Sequence, residues 1–439
     1  MDLLRLLLPF TLCAAAVAQA PDEPGLELLD NGVLRVGLST EHGGALAYLS
    51  LADRDDNLIN VHDLGRFVQQ SYYSGPRPYL PEGARAHEAW PGWGWNPIQA
   101  GDVFLNRPRV LGVERERGTL TVRSVPMQWA LDGVPGECVF ETRVRLDANR
   151  VHLEVRLENG RADRTRYPAQ HQELPAVYTI GRLHRLFTYT GARPFEGEPL
   201  TEIENAGPPW EYWTSTERWS ALVDDEGFGL GVFNPSALLT VGGFHGPKGR
   251  GGPRDGSTGY LAPLHTEVLD HDIVYEASAT LIVGDLERDI RAYAKKNRPD
   301  PRPNLDFSRD RAHCVPTRMQ DESPPYDGSW RLTLDQEDPY LVCAPMHFEA
   351  RRVRKLYLRA AYTTTGREGE LYFAPPGGEF SAERRVTFRV KPDGRMRTYE
   401  IDLSKHPLYT GTIGHLRLDP VVEQVEGDTV ALEFLRAQK

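Results

Sequence analysis

The sequence predicts an all-β protein: a large antiparallel β region followed by a smaller β-sandwich. Three observations predict it. Short stretches that alternate apolar and polar residues recur from Leu26 almost to the C-terminus. Between them stand turn formers, with 41 Gly and 34 Pro among 439 residues, a density that long helices do not tolerate. Only LERDIRAYAKKN, from Leu286 to Asn297, carries clear helical spacing, with Leu286, Ile290 and Tyr293 recurring, lysines near the end and Pro299 just past it.

A chain of this length implies two or three domains with sizeable cores. The net charge of -11 argues against nucleic acid or an anionic membrane as partner. The opening MDLLRLLLPFTLCAAAVAQA has one early Arg, an apolar run and Ala18-Gln19-Ala20 as a small-x-small cleavage site. It reads as a signal peptide over 1–20, too short for a stable membrane span, and predicts a secreted or periplasmic protein. Cys13 leaves with it. Of the remaining cysteines, Cys314 and Cys343 lie in one C-terminal region and are the expected disulfide, Cys138 is the expected buried thiol, and no spacing resembles a zinc site.

The elements follow in order. LELLDNGVLRVGLSTEHGGALAYLSL gives short strands with Asn31-Gly32 and Gly43-Gly44 as turns and with Leu34, Val36 and Leu38 on one face. GTLTVRSVPMQWAL, CVFETRVRLD and RVHLEVRLEN read as consecutive antiparallel strands, and WSALVDDEGFGLGVFNP as a hairpin turning at Asp224–Gly227. The Gly-rich GGFHGPKGRGGPRDGSTGY lacks the strand and helix that flank a phosphate cradle, and reads as a mobile lid. The Leu286–Asn297 helix closes a first domain over 21–298, prolines stiffen a linker over 299–305, and a second domain spans 306–439 with strand signals such as KLYLRAAYTT, RRVTFRV and TVALEFLRA.

Two stretches carry the candidate chemistry. In AQHQELPAVY, from Ala169 to Tyr178, His171 and Glu173 are two apart and share one face of a strand; Pro168 and Pro175 predict a short segment near an edge, a bulge or a mouth. PLHTEVLDHDIVYE repeats the arrangement with His265 and Glu267, and Asp270 just beyond. Taken singly, each of these also reads as an ordinary hydrogen-bonded group at a strand end. Aromatic residues supply sugar-binding surface: Trp93 and Trp95 with Asn96 and Asp102 in one Pro- and Gly-rich loop, Trp210 and Trp213 in another. DLGRFVQQSYYSGPRPY adds Arg66, Gln70 and Tyr73.

Gly43-Gly44-Ala45-Leu46-Ala47-Tyr48-Leu49 resembles the early strand pair of galactose-mutarotase-like β-supersandwich proteins. Gly411, Ile413, Leu416, Arg417, Asp419 and Pro420 resemble the closing motif of C-terminal jelly-roll, carbohydrate-binding-module-like sandwiches. The resemblance implies a β-supersandwich followed by a jelly roll, a pairing common in secreted carbohydrate-active enzymes. It also implies that Arg66 and Gln70 meet sugar hydroxyls or a carboxylate, and that a His and a Glu act as acid and base, as in mutarotases of this fold. The function expected is a glycoside hydrolase acting on a polysaccharide or oligosaccharide, with no cofactor and no metal. Glu173 and Glu267 form the carboxyl pair, His171 and His265 set protonation states, and Asp270 stands in reserve. Two alternatives remain open. One is a polysaccharide lyase, with His171 or a Tyr as base and Arg66 or Gln70 on a uronate. The other is a glycan-binding protein without catalysis, served by the Trp loops.

Overall fold

Hairpin turns and strand alternation build two long sheets that pack face to face. The computed structural model describes residues 25–204 and 206–438; the signal-peptide reading over 1–20 lies outside the described residues. Among these, the first sheet has ten strands, in the order Leu26–Asp30, Leu34–Ser39, Ala45–Leu51, Val68–Ser71, Gln170–Ile180, Thr258–Glu267, Leu239–His245 and Glu211–Thr214, with Pro97–Ile98 paired to Val68–Ser71 and Met127–Gln128 paired to Pro97–Ile98. The second has nine strands and contains Thr119–Val125, Cys138–Asp147 and Arg150–Asn159 as neighbours, as their alternation predicts. Leu34, Val36 and Leu38 point between the sheets with Val144, Val155, Val177, Leu261 and Leu281, so their alternating strands place one face each in a shared core.

Trp219–Val223 and Phe228–Phe233 form the expected hairpin. The helical segment runs as Leu286–Arg291 and Ala292–Lys296, with Asp285 accepting from the backbone N–H groups of Glu287 and Arg288. Its buried Ile290 and Ala294 sit on Trp219, Val223 and Ile282, on the outer side of the nine-stranded sheet.

Two further sheets, of six and five strands, enclose a separate core that includes Trp330, Leu358, Phe373 and Leu418. Their first strand, Asn304–Asp306, pairs with Asp428–Arg436 and so begins inside the stretch read as linker. Cys314 and Cys343 are bonded, and Cys138 is a buried free thiol.

Two expectations are corrected. Gln170–Ile180 is neither short nor at an edge, having 11 residues and lying mid-sheet between Val68–Ser71 and Thr258–Glu267, but the bulge that its prolines also allowed is present at Pro175. Pro175 is accommodated because pairing breaks there on both sides, between Glu173 and Val177 against one neighbour and between Glu173 and Ala176 against the other, so no ladder hydrogen bond needs its missing N–H. The Gly-rich loop is not a free lid. Asn60 Nδ2 donates to the carbonyls of Asp255 and Ser257, Arg66 to those of Asp255 and Gly256, and His62 contacts that of Arg254.

Candidate active site

The ten-stranded sheet has a second face that looks away from the core. Leu174 and Val177 point inward, whereas Ala176, Val241, Tyr260, Ala262 and Leu264 form an apolar floor on the far side, with Tyr178, Trp210 and Leu239 packed against it. Glu173 stands on this outer face opposite Leu264 and Ser71, and His171 opposite Thr266. Tyr260 and Tyr73 lie beside the Glu173 carboxyl and favour its charged form. Tyr178 stacks on Tyr260 with ring centroids 4.7 Å apart, and Trp210 lies tilted against Tyr260 at 5.0 Å. Tyr212 stands 57% exposed, its ring 6.0 Å from that of His171.

Burial on this aromatic floor pushes the Glu173 carboxyl up to about 7, although Tyr260 and Tyr73 pull it back by favouring the anion. Burial lowers His171, whose Nδ1 lies 2.9 Å from Thr266 Oγ1. Near neutral pH a carboxyl at the midpoint of its titration and an uncharged imidazole therefore share one open, ring-lined face. Both are competent to move protons there.

The expected pairing of Glu173 with Glu267 does not form. Strand alternation sends His265 and Glu267 through the sheet to its inner side, where both are buried. His265 Nδ1 meets the Tyr275 hydroxyl at 2.9 Å, and that hydroxyl donates to Glu267 Oε1 at 3.1 Å. His313, from the C-terminal half, contacts the same oxygen through Nδ1 at 2.5 Å. Asp270 is likewise turned from the outer face: it is buried and accepts from Arg311 Nη2 at 2.6 Å.

Several residues expected to bind sugar lie inside, with their polar atoms satisfied by the chain. Gln70 donates to Thr142 Oγ1 and the Glu141 carbonyl and accepts from Tyr72. Asp102 accepts from the backbone of Phe104, Asn106 and Gly133 and from the Asn106 amide, which staples a loop. Asn96 joins the Trp93 indole to the Tyr72 carbonyl. Trp95 and Trp213 fill the core between the sheets. Trp93 remains partly exposed, edge-to-face with Trp90 at 4.8 Å. Arg66 is held by Asp63 at 3.0 Å and by the Gly-rich loop carbonyls. Of the expected set, the outer face thus gathers His171, Glu173, Tyr73 and Trp210.

Sequence reading gave no role to Tyr178, Tyr260 and Gln172. Gln172 is buried and uses both ends of its amide on Tyr73, accepting from its N–H at 2.8 Å and donating to its carbonyl at 2.9 Å. It fixes Tyr73 beside Glu173 although the two strands are out of register there. Tyr178 was hidden by the Pro175 bulge. Unbroken alternation from Glu173 would turn Val177, not Tyr178, to the outer face.

No family model matches the chain, and no curated protein matches it. Solved structures do. A galactose mutarotase related enzyme from Lactobacillus acidophilus aligns over 60% of this chain and 99% of its own, at 11% identity and a TM-score of 0.35. An alpha-galactosidase from Geobacillus stearothermophilus aligns over 62% of this chain and 41% of its own, at 12% identity and 0.36. A heparan sulfate lyase mutant from Pedobacter heparinus aligns over 72% and 42%, at 9% identity and 0.30. These neighbours are carbohydrate-active proteins, and this chain is all-β. At such identities the chemistry of the site rests on its own residues.

Proposed function

We propose that the chain is an exported enzyme that cleaves a glycan, a glycoside hydrolase, with Glu173 as the group that protonates the departing glycosidic oxygen. The observation that carries this is the Glu173 carboxyl, pushed up to about 7 on an aromatic floor. A general acid must hold its proton at working pH and still release it readily. Trp210, Tyr212 and Tyr178 offer ring faces for the C–H faces of a sugar, with buried Tyr260 packed beneath Tyr178 and Trp210. Glu267, behind the sheet, cannot flank the same bond. His171 is the base on the same face, uncharged at neutral pH and about 6–7 Å from Glu173 along the strand.

The test is a panel of polysaccharides and oligosaccharides read by product chromatography. On the substrate found, Glu173→Gln lowers kcat by about 10²–10⁴-fold, the usual worth of a general acid. Wild-type activity falls as pH rises through about 7, where Glu173 loses its proton. Undiminished turnover by Glu173→Gln would remove the assignment. β-Elimination on a uronate polymer is the second reading, favoured by two tyrosines beside the same carboxyl. It is distinguished by unsaturated products that absorb in the near ultraviolet.

A further inference from the structure

Behind the sheet, His265, Glu267 and His313 form a cluster that the proposed reaction does not use. Each offers one ligand atom, and these atoms lie within 4.8 Å of one another. We propose that they form a binding site for a divalent transition metal of the zinc class, placed where the first pair of sheets meets the C-terminal pair.

Four observations converge on it. The donor set is two imidazoles and one carboxylate, the combination that three-ligand zinc sites use while keeping a fourth position open. The donors are supported from behind. The Tyr275 hydroxyl gives its single proton to Glu267, so the His265 Nδ1 that faces it must carry a proton of its own. That leaves Nε2 as the unprotonated nitrogen, accepting from Ser236 Oγ at 3.2 Å and Asn234 Nδ2 at 3.4 Å, contacts that a bound metal would displace. A fixed tautomer and an anchored ring are what metal-binding histidines commonly show. His313 is held in place by its backbone. Ala312 and His313 have φ of 48° and 57°, a region that residues with a Cβ seldom occupy, and the adjoining Cys314 is tied to Cys343. Finally, the cluster is open to solvent. His265, His313 and Ser236 line a cleft of about 470 Å³, and Glu267, Tyr275 and His313 line another of about 510 Å³. An ion therefore has a way in, and the fourth ligand can be water or an oxygen of a bound molecule.

The bland alternative is an ion pair between Glu267 and His313 that needs no metal. The two are told apart with tag-free full-length protein, stripped with a chelator and titrated with zinc. Bound metal is measured by elemental analysis, and cobalt substitution is read by its visible d–d bands. The expected result is one zinc per chain, thermal unfolding that shifts upward on zinc addition, and tetrahedral-type cobalt bands. His313→Ala should abolish all three. Because that variant could undock the C-terminal half, Tyr275→Phe is the second probe. It keeps every ligand and removes only the hydroxyl behind them, and should weaken zinc by about 10–100-fold, the usual cost of losing such a partner. Folded wild-type protein that binds no zinc would overturn the proposal. So would zinc bound with unchanged affinity by both variants.

Discussion

Glu173 is a carboxyl whose surroundings disfavour its charge. Burial raises its pKa from the ordinary 4.5 to about 7 while Tyr260 and Tyr73 oppose the rise. The consequence for stability has a definite sign. As pH rises past 4.5 the unfolded chain ionises this carboxyl while the folded chain still holds the proton. The stability Glu173 contributes is therefore complete below 4.5 and lost by about pH 7. The gap corresponds to at most about 3 kcal/mol. Glu173→Gln has no such dependence, so it should match the wild type near pH 4 and be the more stable of the two at pH 8. Denaturant unfolding of both proteins across that range checks it; a constant difference would show that the carboxyl is better solvated than its neighbours imply. That His171 and Glu173 share a face was legible from their spacing alone. What makes them reactive was not, because the tyrosine floor is assembled from strands distant in sequence, and because Gln172, which positions Tyr73, looks like any polar strand residue.

At the scale of elements, most strands and the helical segment over Leu286–Lys296 followed from alternation, turn residues and apolar spacing. The central strand of the site did not. Pro175 reads as a boundary, yet the chain runs through it by breaking pairing on both sides. Such a bulge reverses which side chains face the core, and although Pro175 allowed for one, nothing local distinguished it from an edge or a mouth. The helix shows the opposite case. Leu286–Arg291 was predicted by its apolar spacing, but its docking also depends on a polar residue. Arg291 donates through Nε and Nη2 to the two oxygens of Glu217 at 3.0 and 2.9 Å, and Glu217, fully buried, also accepts from the Trp219 indole at 3.0 Å. Removing the guanidinium leaves a buried carboxylate without its counter-charge. Arg291→Met should thus cost about 3–5 kcal/mol, the usual penalty for breaking a buried pair. The double change Arg291→Met with Glu217→Gln should recover part of that loss, since no charge is then stranded. Equilibrium unfolding of the two variants separates this from lost packing, which the double change would not restore.

For the whole molecule, the sequence foretold two successive β regions and the Cys314–Cys343 bond. It was silent on how the regions join, because joining depends on residues far apart in the chain. Arg311 is the centre of that junction. Its guanidinium donates to Asp270 Oδ2 at 2.6 Å and the Val268 carbonyl at 3.2 Å on one side, and to Asp321 Oδ2 at 2.8 Å on the other. Burial works against its charge, but Asp321 and Asp270 outweigh that and raise its pKa. Asp321 is fully buried and also accepts from Tyr326 and the Trp330 indole, so its orientation is fixed by the C-terminal core. Arg311→Met keeps much of the side-chain volume, strands Asp270 and leaves Asp321 with Arg166 as its remaining ion-pair partner, and should cost about 3–5 kcal/mol. Because the loss falls at the boundary and not within either core, it should appear as lost cooperativity: one calorimetric transition in the wild type becoming two in the variant, with the upper one little shifted. Arg311→Lys should give an intermediate result, since one ammonium keeps the charge but cannot match the planar fork that reaches three acceptors. A single transition for Arg311→Met at the wild-type temperature would mean that apolar contact and the remaining polar bridges hold the two halves together without it.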